Sequence, residues 1–145
     1  MIKGYLLDTS VLSALAPGRP EGLSIFGKLI REKSGSNYIS VVTVSEIQQG
    51  ISKLQRQGGF ARAAGLSAWL SGQLSEFADR VIQVDKSIAY EAGNMSDAAT
   101  AAGRHPGFSD IYIAATAKVR NIELLTRNTR HFEPLGIRYS NPFDD

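Results

Sequence analysis

The chain has 145 residues, 43% apolar and 21% charged, enough for one hydrophobic core and unlike the composition of a disordered segment. Cysteine is absent, which excludes disulfide scaffolds, thiolate zinc sites, iron–sulfur clusters and cysteine nucleophiles together. Sixteen Lys and Arg against fourteen Asp and Glu leave a formal charge of +2, compatible with a nucleic-acid partner, and no run of 18 apolar residues offers a membrane span.

Taken in order, Gly4-Tyr5-Leu6-Leu7 is a short apolar run that stops at Asp8-Thr9-Ser10, as a strand leading into a helix cap does. An acid this early leaves no room for a signal-peptide apolar region, so a cytoplasmic protein is expected. Val11, Leu12 and Leu15 outline a short helix that Pro17-Gly18 ends, and Pro20 opens another carrying Leu23, Phe26 and Ile30. Asn37 to Val42 reads as a second strand. Thr43 then opens a helix with Val44, Ile47, Ile51 and Leu54 on one stripe, closed by Gly58-Gly59. Leu66, Leu70, Leu74 and Phe77, with Trp69 nearby, mark the next helix. Val81 to Val84 is a third strand, and Asp85 caps a helix with Ile88, Ala92, Met95, Ala99 and Ala102 on one face. Pro106-Gly107 breaks the chain before a helix from Ser109-Asp110 through Val119. Ile122 to Thr126 is a fourth strand and Ile137 to Tyr139 a fifth.

Short apolar strands separated by helices predict an α/β fold: a three-layer α/β/α sandwich around a mostly parallel sheet of about five strands, in one domain over 1–145. Right-handed crossovers bring the connections that leave the strands to one sheet edge, where open α/β folds build their sites. Asp8, Glu46, Asp110 and Asn128 all fall on that edge. Singly, each has a structural explanation. Asp8 would cap a helix, Thr43 and Glu46 would form a Thr-x-x-Glu capping box, Asp110 would favour a helix dipole, and Asn128 would make a turn. Together they form an oxygen-only set whose repulsion a hard cation such as Mg²⁺ or Mn²⁺ would relieve, as in a phosphodiester-cleaving centre.

Leu6-Leu7-Asp8-Thr9-Ser10-Val11, Thr43-Val44-Ser45-Glu46-Ile47, Asp110 to Ala117, Leu125 to Phe132 and the closing Asn141-Pro142-Phe143 resemble, in order and spacing, the PIN-domain ribonucleases. Within these the likeness is to the VapC-type toxins of bacterial toxin–antitoxin pairs, FitB-like subgroup. The resemblance implies an α/β/α PIN fold and metal-dependent endoribonuclease activity on RNA. It also implies a homodimer and a cognate VapB-like antitoxin that blocks the site. Asp8, Glu46 and Asp110 take the acidic positions, with Asp8 and Asp110 as direct Mg²⁺ or Mn²⁺ ligands and Thr9 and Ser10 supporting the first acid or a bound water. Arg127 and Arg130 are candidates for gripping phosphates, as is Asn128, and Arg104 and His105 less so. The stripe from Leu66 to Phe77 is core, or else a groove for an antitoxin helix.

One departure concerns the fourth motif, where many relatives carry an acid at the position of Asn128 or His131. Weaker affinity for a second cation is therefore expected, with either a one-ion site or one whose ion binds along with the substrate. His131 as a general base, and His105, Ser109 and Asp110 as a hydrolase triad, are set aside because the three are too close in sequence to orient as one. Two rival readings stand beside the nuclease. One is an inactive RNA- or protein-binding PIN-like domain. The other is a small phosphatase with Asp8 as nucleophile, which would lack its general acid because Ser10 stands two residues on.

Overall fold

The computed structural model describes residues 4–19 and 36–143, so the helix expected after Pro20 lies outside the described residues. Tyr5–Leu7 forms β1 and Thr9–Ser13 α1. Asn37–Ser40 is β2, followed without a loop by α2, Val41–Arg56, and then by α3, Phe60–Phe77. Val81–Ile82 is β3, Lys86–Ala101 α4 and Phe108–Arg120 α5. Glu123–Leu125 is β4, Thr129–Phe132 the single turn α6, and Tyr139–Ser140 β5.

The five strands pair in parallel in the order β3-β2-β1-β4-β5, as the alternation of apolar runs and helical stripes predicts. Strand order reverses between β1 and β4, whose register sets Leu6 against Leu124 and Leu7 against Leu125. Successive strand residues face opposite sides of a sheet. Leu6 and Leu124 accordingly join the core under α4 and α5, with Ile88, Ala92, Met95, Ile113 and Phe132. Leu7 and Leu125 join the opposite core with Val11, Leu12, Ile39 and Phe77. Ile51, Ala63 and Leu70 seal α2 against α3. Helices thus cover both faces of the sheet.

Several boundaries differ from the sequence reading for local reasons. Strand β2 ends two residues early because the Ser40 hydroxyl accepts from Val42 N at 3.0 Å and starts α2 at Val41. Thr43 and Glu46 therefore stand inside the helix, and the expected Thr-x-x-Glu capping box does not form. Helix α5 opens at Phe108 instead of Ser109. Asp85 does cap α4, accepting from Ile88 N at 3.0 Å. Strand β5 begins at Tyr139 rather than Ile137, three residues after Gly136 turns the chain at φ +66°. Among the described residues two non-glycine positions have positive φ: Asn121, in the left-handed region that asparagine tolerates, and Ala78, which ends α3 at φ 51°, ψ −118°, a region natural to glycine and the more strained of the two. No helix among the described residues is long and apolar enough to cross a membrane.

Candidate active site

Asp8 leaves β1 at the point where strand order reverses, and its backbone N–H extends the ladder by donating to Leu125 O at 2.9 Å. It occupies the cap position of α1, yet its side chain makes no capping bond. Its Oδ2 instead accepts from Thr126 Oγ1 at 2.7 Å and from Ser10 Oγ at 2.9 Å. The side chain is almost wholly enclosed, at 4% exposure. A carboxylate is rarely buried so deeply without a cation beside it. Among the described residues no Lys, Arg or His pairs with it.

Glu46 projects from α2 toward the same place. Thr9 Oγ1 donates to its Oε1 at 2.5 Å and also meets the buried Thr43 hydroxyl at 3.1 Å. Burial holds the Glu46 carboxyl above its usual range. The Thr9 bond opposes that rise, the charges of Asp8 and Asp110 add to it, and a hydrogen bond from Ser109 lowers it a little. Asp110, third residue of α5, is likewise raised by burial and by Asp8, against the pull of His131. His131 Nδ1 lies 3.1 Å from Asp110 Oδ2, in ion-pair range. The three carboxylates sense one another, and each gives an oxygen to a hydroxyl or imidazole of the protein.

The segment after β4 supplies the rest. Thr126 is fully buried, and its hydroxyl, besides donating to Asp8, accepts from Asn128 N at 3.0 Å. Ser10 accepts from Arg127 N at 3.1 Å, so its hydroxyl ties α1 to this segment. Arg127 is exposed and its guanidinium stacks on the Phe143 ring at 4.7 Å. Asn128 and Arg130 are exposed beside it. Arg104 turns elsewhere, lining a groove with Glu91, Met95 and Leu135 between α4 and α5. Thr126, which with Ser10 holds Asp8, was not assigned a role by the sequence reading, and His131 was read only as standing where many relatives carry an acid. For Thr126 the only signal was position, closing a strand that ends on the same edge.

The donor set suits a hard divalent ion, since every side chain at the centre offers oxygen and none offers sulfur. Among the described residues no three His, Cys, Asp or Glu side chains are arranged to enclose an ion by themselves. Mg²⁺ needs no such cage: it is commonly held by one or two carboxylates and keeps several waters. Asp8 and Asp110, each with Oδ1 outside the hydrogen bonds described above, match that pattern. From Glu46 a groove of about 240 Å³ runs between α2 and α3, floored by Ile47, Ile51, Leu54, Leu66 and Trp69 and flanked by Arg19 and Arg62. The stripe on α3 is thus divided: Leu70 and Phe77 are core, while Leu66 and Trp69 are half-buried in the groove.

A parallel sheet covered on both faces, with carboxylates gathered where strand order reverses, describes the same class of protein as the sequence motifs: the PIN domain model matches residues 5–136, and the chain belongs to that family. Among its relatives, it is 30% identical over 144 residues to the toxin FitB of Neisseria gonorrhoeae, covering 97% of this chain and 99% of that protein. It is 27% identical over 139 residues to the VapC ribonuclease Y4jK of Sinorhizobium fredii, covering 96% and 97% respectively. The crystal structure of FitAcB from Neisseria gonorrhoeae superposes with a TM-score of 0.82 at 29% identity, over 97% of this chain and 99% of that one.

Proposed function

We propose that the chain, as a single PIN domain over 1–145, is a Mg²⁺- or Mn²⁺-dependent endoribonuclease and the toxin of a toxin–antitoxin pair. Asp8 carries the reading: a buried carboxylate at the switch point, held on one oxygen by two hydroxyls, with Glu46 and Asp110 in electrostatic reach and no basic partner among the described residues. The relatives support it, one being called a toxin and another a ribonuclease.

In this reading Asp8 and Asp110 would hold the ion directly and Glu46 through a water. When bound, the ion supplies Lewis-acid charge that makes water more acidic and neutralises charge growing on the phosphodiester. Glu46 accepts the proton of the attacking water, and its burial-raised pKa suits an acceptor working near neutral pH. Thr9 fixes the Glu46 carboxylate through Oε1. Ser10 and Thr126 keep Asp8 from rotating. Arg127, Asn128 and Arg130 lie exposed on the segment beside the site, where they would meet phosphates on either side of the cut. An open edge of this kind admits single-stranded RNA, whose bases are unstacked, more readily than an A-form helix.

The groove beside Glu46 is the place for the antitoxin: its apolar floor fits one face of an amphipathic helix, and a basic residue carried on that helix would reach the carboxylates. A homodimer working in the cytoplasm completes the proposal. Cleavage of a single-stranded RNA by wild type and Asp8→Asn, each with Mn²⁺ or with EDTA, tests it. Cutting that needs both the ion and Asp8 is expected. RNA bound but uncut with Mn²⁺ would favour an inactive binding domain, and release of phosphate from small monoesters would favour a phosphatase.

A further inference from the structure

His131 occupies a position where an acid was expected, and the structure gives it a defined contact. It sits on α6, a single turn anchored by the fully buried Phe132 and packed on α5. The turn is tied at its start, where Asn128 N donates to Thr126 Oγ1 and Asn128 O accepts from His131 N at 3.0 Å. The six residues from Thr126 to His131 therefore touch both aspartates. Thr126 donates to Asp8 Oδ2, and His131 Nδ1 stands 3.1 Å from Asp110 Oδ2. Asp8 is held by a second donor, Ser10, whereas among the described residues His131 is the one basic side chain against Asp110. With a quarter of its side chain exposed, Asp110 would otherwise be free to turn.

We infer that His131 is a positioning residue: its Nδ1–H fixes the Asp110 carboxylate by Oδ2 and leaves Oδ1 directed to a divalent cation, so that the Thr126–His131 segment sets both aspartates at once. The inference rests on the ion-binding reading above and deepens it. Residues that orient a metal-ligating carboxylate by hydrogen bonding act through the ligand's freedom to rotate, and their loss weakens the ion rather than the fold. The imidazole is 57% exposed, so its removal opens no cavity in the core.

The test is Mn²⁺ titration calorimetry on the full chain without RNA, for wild type, His131→Ala, His131→Asn and His131→Gln. Asn places an N–H donor where Nδ1 stands, whereas Gln places it nearer Nε2. His131→Ala and His131→Gln should bind Mn²⁺ about tenfold more weakly, the low end for such a partner because the pair is exposed, and His131→Asn should stay within about threefold of wild type. Melting curves without the ion should coincide for all four chains. At saturating Mn²⁺ the RNA-cleavage rates of His131→Ala and wild type should converge, which a misfolded variant would not do. Equal affinity of His131→Ala and wild type overturns the inference while leaving the nuclease reading intact, and so does an Asn variant as weak as Ala. A wild type that takes up no Mn²⁺ overturns both.

Discussion

Replacing Thr126 by Val tests whether the Asp8 carboxylate depends on its buried hydroxyl donor. Val keeps the shape and loses only the O–H, at a residue with no exposure. The bond lost is 2.7 Å long and runs to a carboxylate 4% exposed, which cannot recruit water in its place. A hydrogen bond to a charged group contributes about 1.5–3 kcal/mol. The Asn128 N–H that also loses its acceptor belongs to an exposed residue and finds solvent, and Ser10 stays on Oδ2. The expected loss is therefore about 2 kcal/mol, which for a chain of this size lowers the melting temperature by roughly 8 °C. Urea unfolding in EDTA, with the m-value unchanged, is the assay. Thr126→Ser is the control, because it keeps the hydroxyl and removes one buried methyl worth about 0.8 kcal/mol. The order wild type, Ser, Val follows if the donor matters most. A Val variant as stable as the Ser variant would refute the reasoning, because packing would then outweigh the bond.

The charge cluster and the strained Ala78 backbone give two further expectations. In the metal-free chain Glu46 and Asp110 have raised pKa values, so the folded state binds more protons than the unfolded one above the reference values of 4.5 and 3.8. Their contribution to stability is complete below those values and is lost as pH rises through the raised ones, so acidifying from neutral through that window should strengthen the fold; Glu46→Gln should flatten the slope, and identical slopes by denaturant titration would contradict it. Ala78→Gly should stabilise by about 1 kcal/mol, because glycine adopts φ 51°, ψ −118° without a Cβ clash, and differential scanning calorimetry showing a lower melting temperature would refute it.

Much of the fold was legible because it rests on periods that a sequence displays. Leu6 and Leu7 alternate across the sheet, and Ile88, Ala92, Met95 and Ala99 recur on one helical face and are buried as that spacing demands. Boundaries were less legible, since they turn on single hydrogen bonds. Thr43 and Glu46 have capping-box spacing, but Ser40 had already begun the helix, and Thr43 is buried where it meets Thr9. In the site, the acids could be placed because each follows a strand or opens a helix on the same edge. Thr126 could not, because a threonine closing a strand looks like an ordinary β-former until its partner, 118 residues away, is known. His131 was read as the residue standing where many relatives carry an acid, and its approach to Asp110 is visible only in the structure.

That separation of Asp8 from Thr126 also bears on synthesis. Asp8 leaves the ribosome 118 residues ahead of Thr126, so the strand that must lie beside it is made much later. At about 5–20 residues per second, roughly 6–24 s of translation separate the two. Until then β1 lacks its β4 neighbour, Asp8 lacks Thr126, and α6 does not exist to meet Asp110. A nascent or prematurely terminated chain therefore lacks part of the site. The site is completed as a unit, only once the segment from Thr126 to His131 is made, well after Asp8.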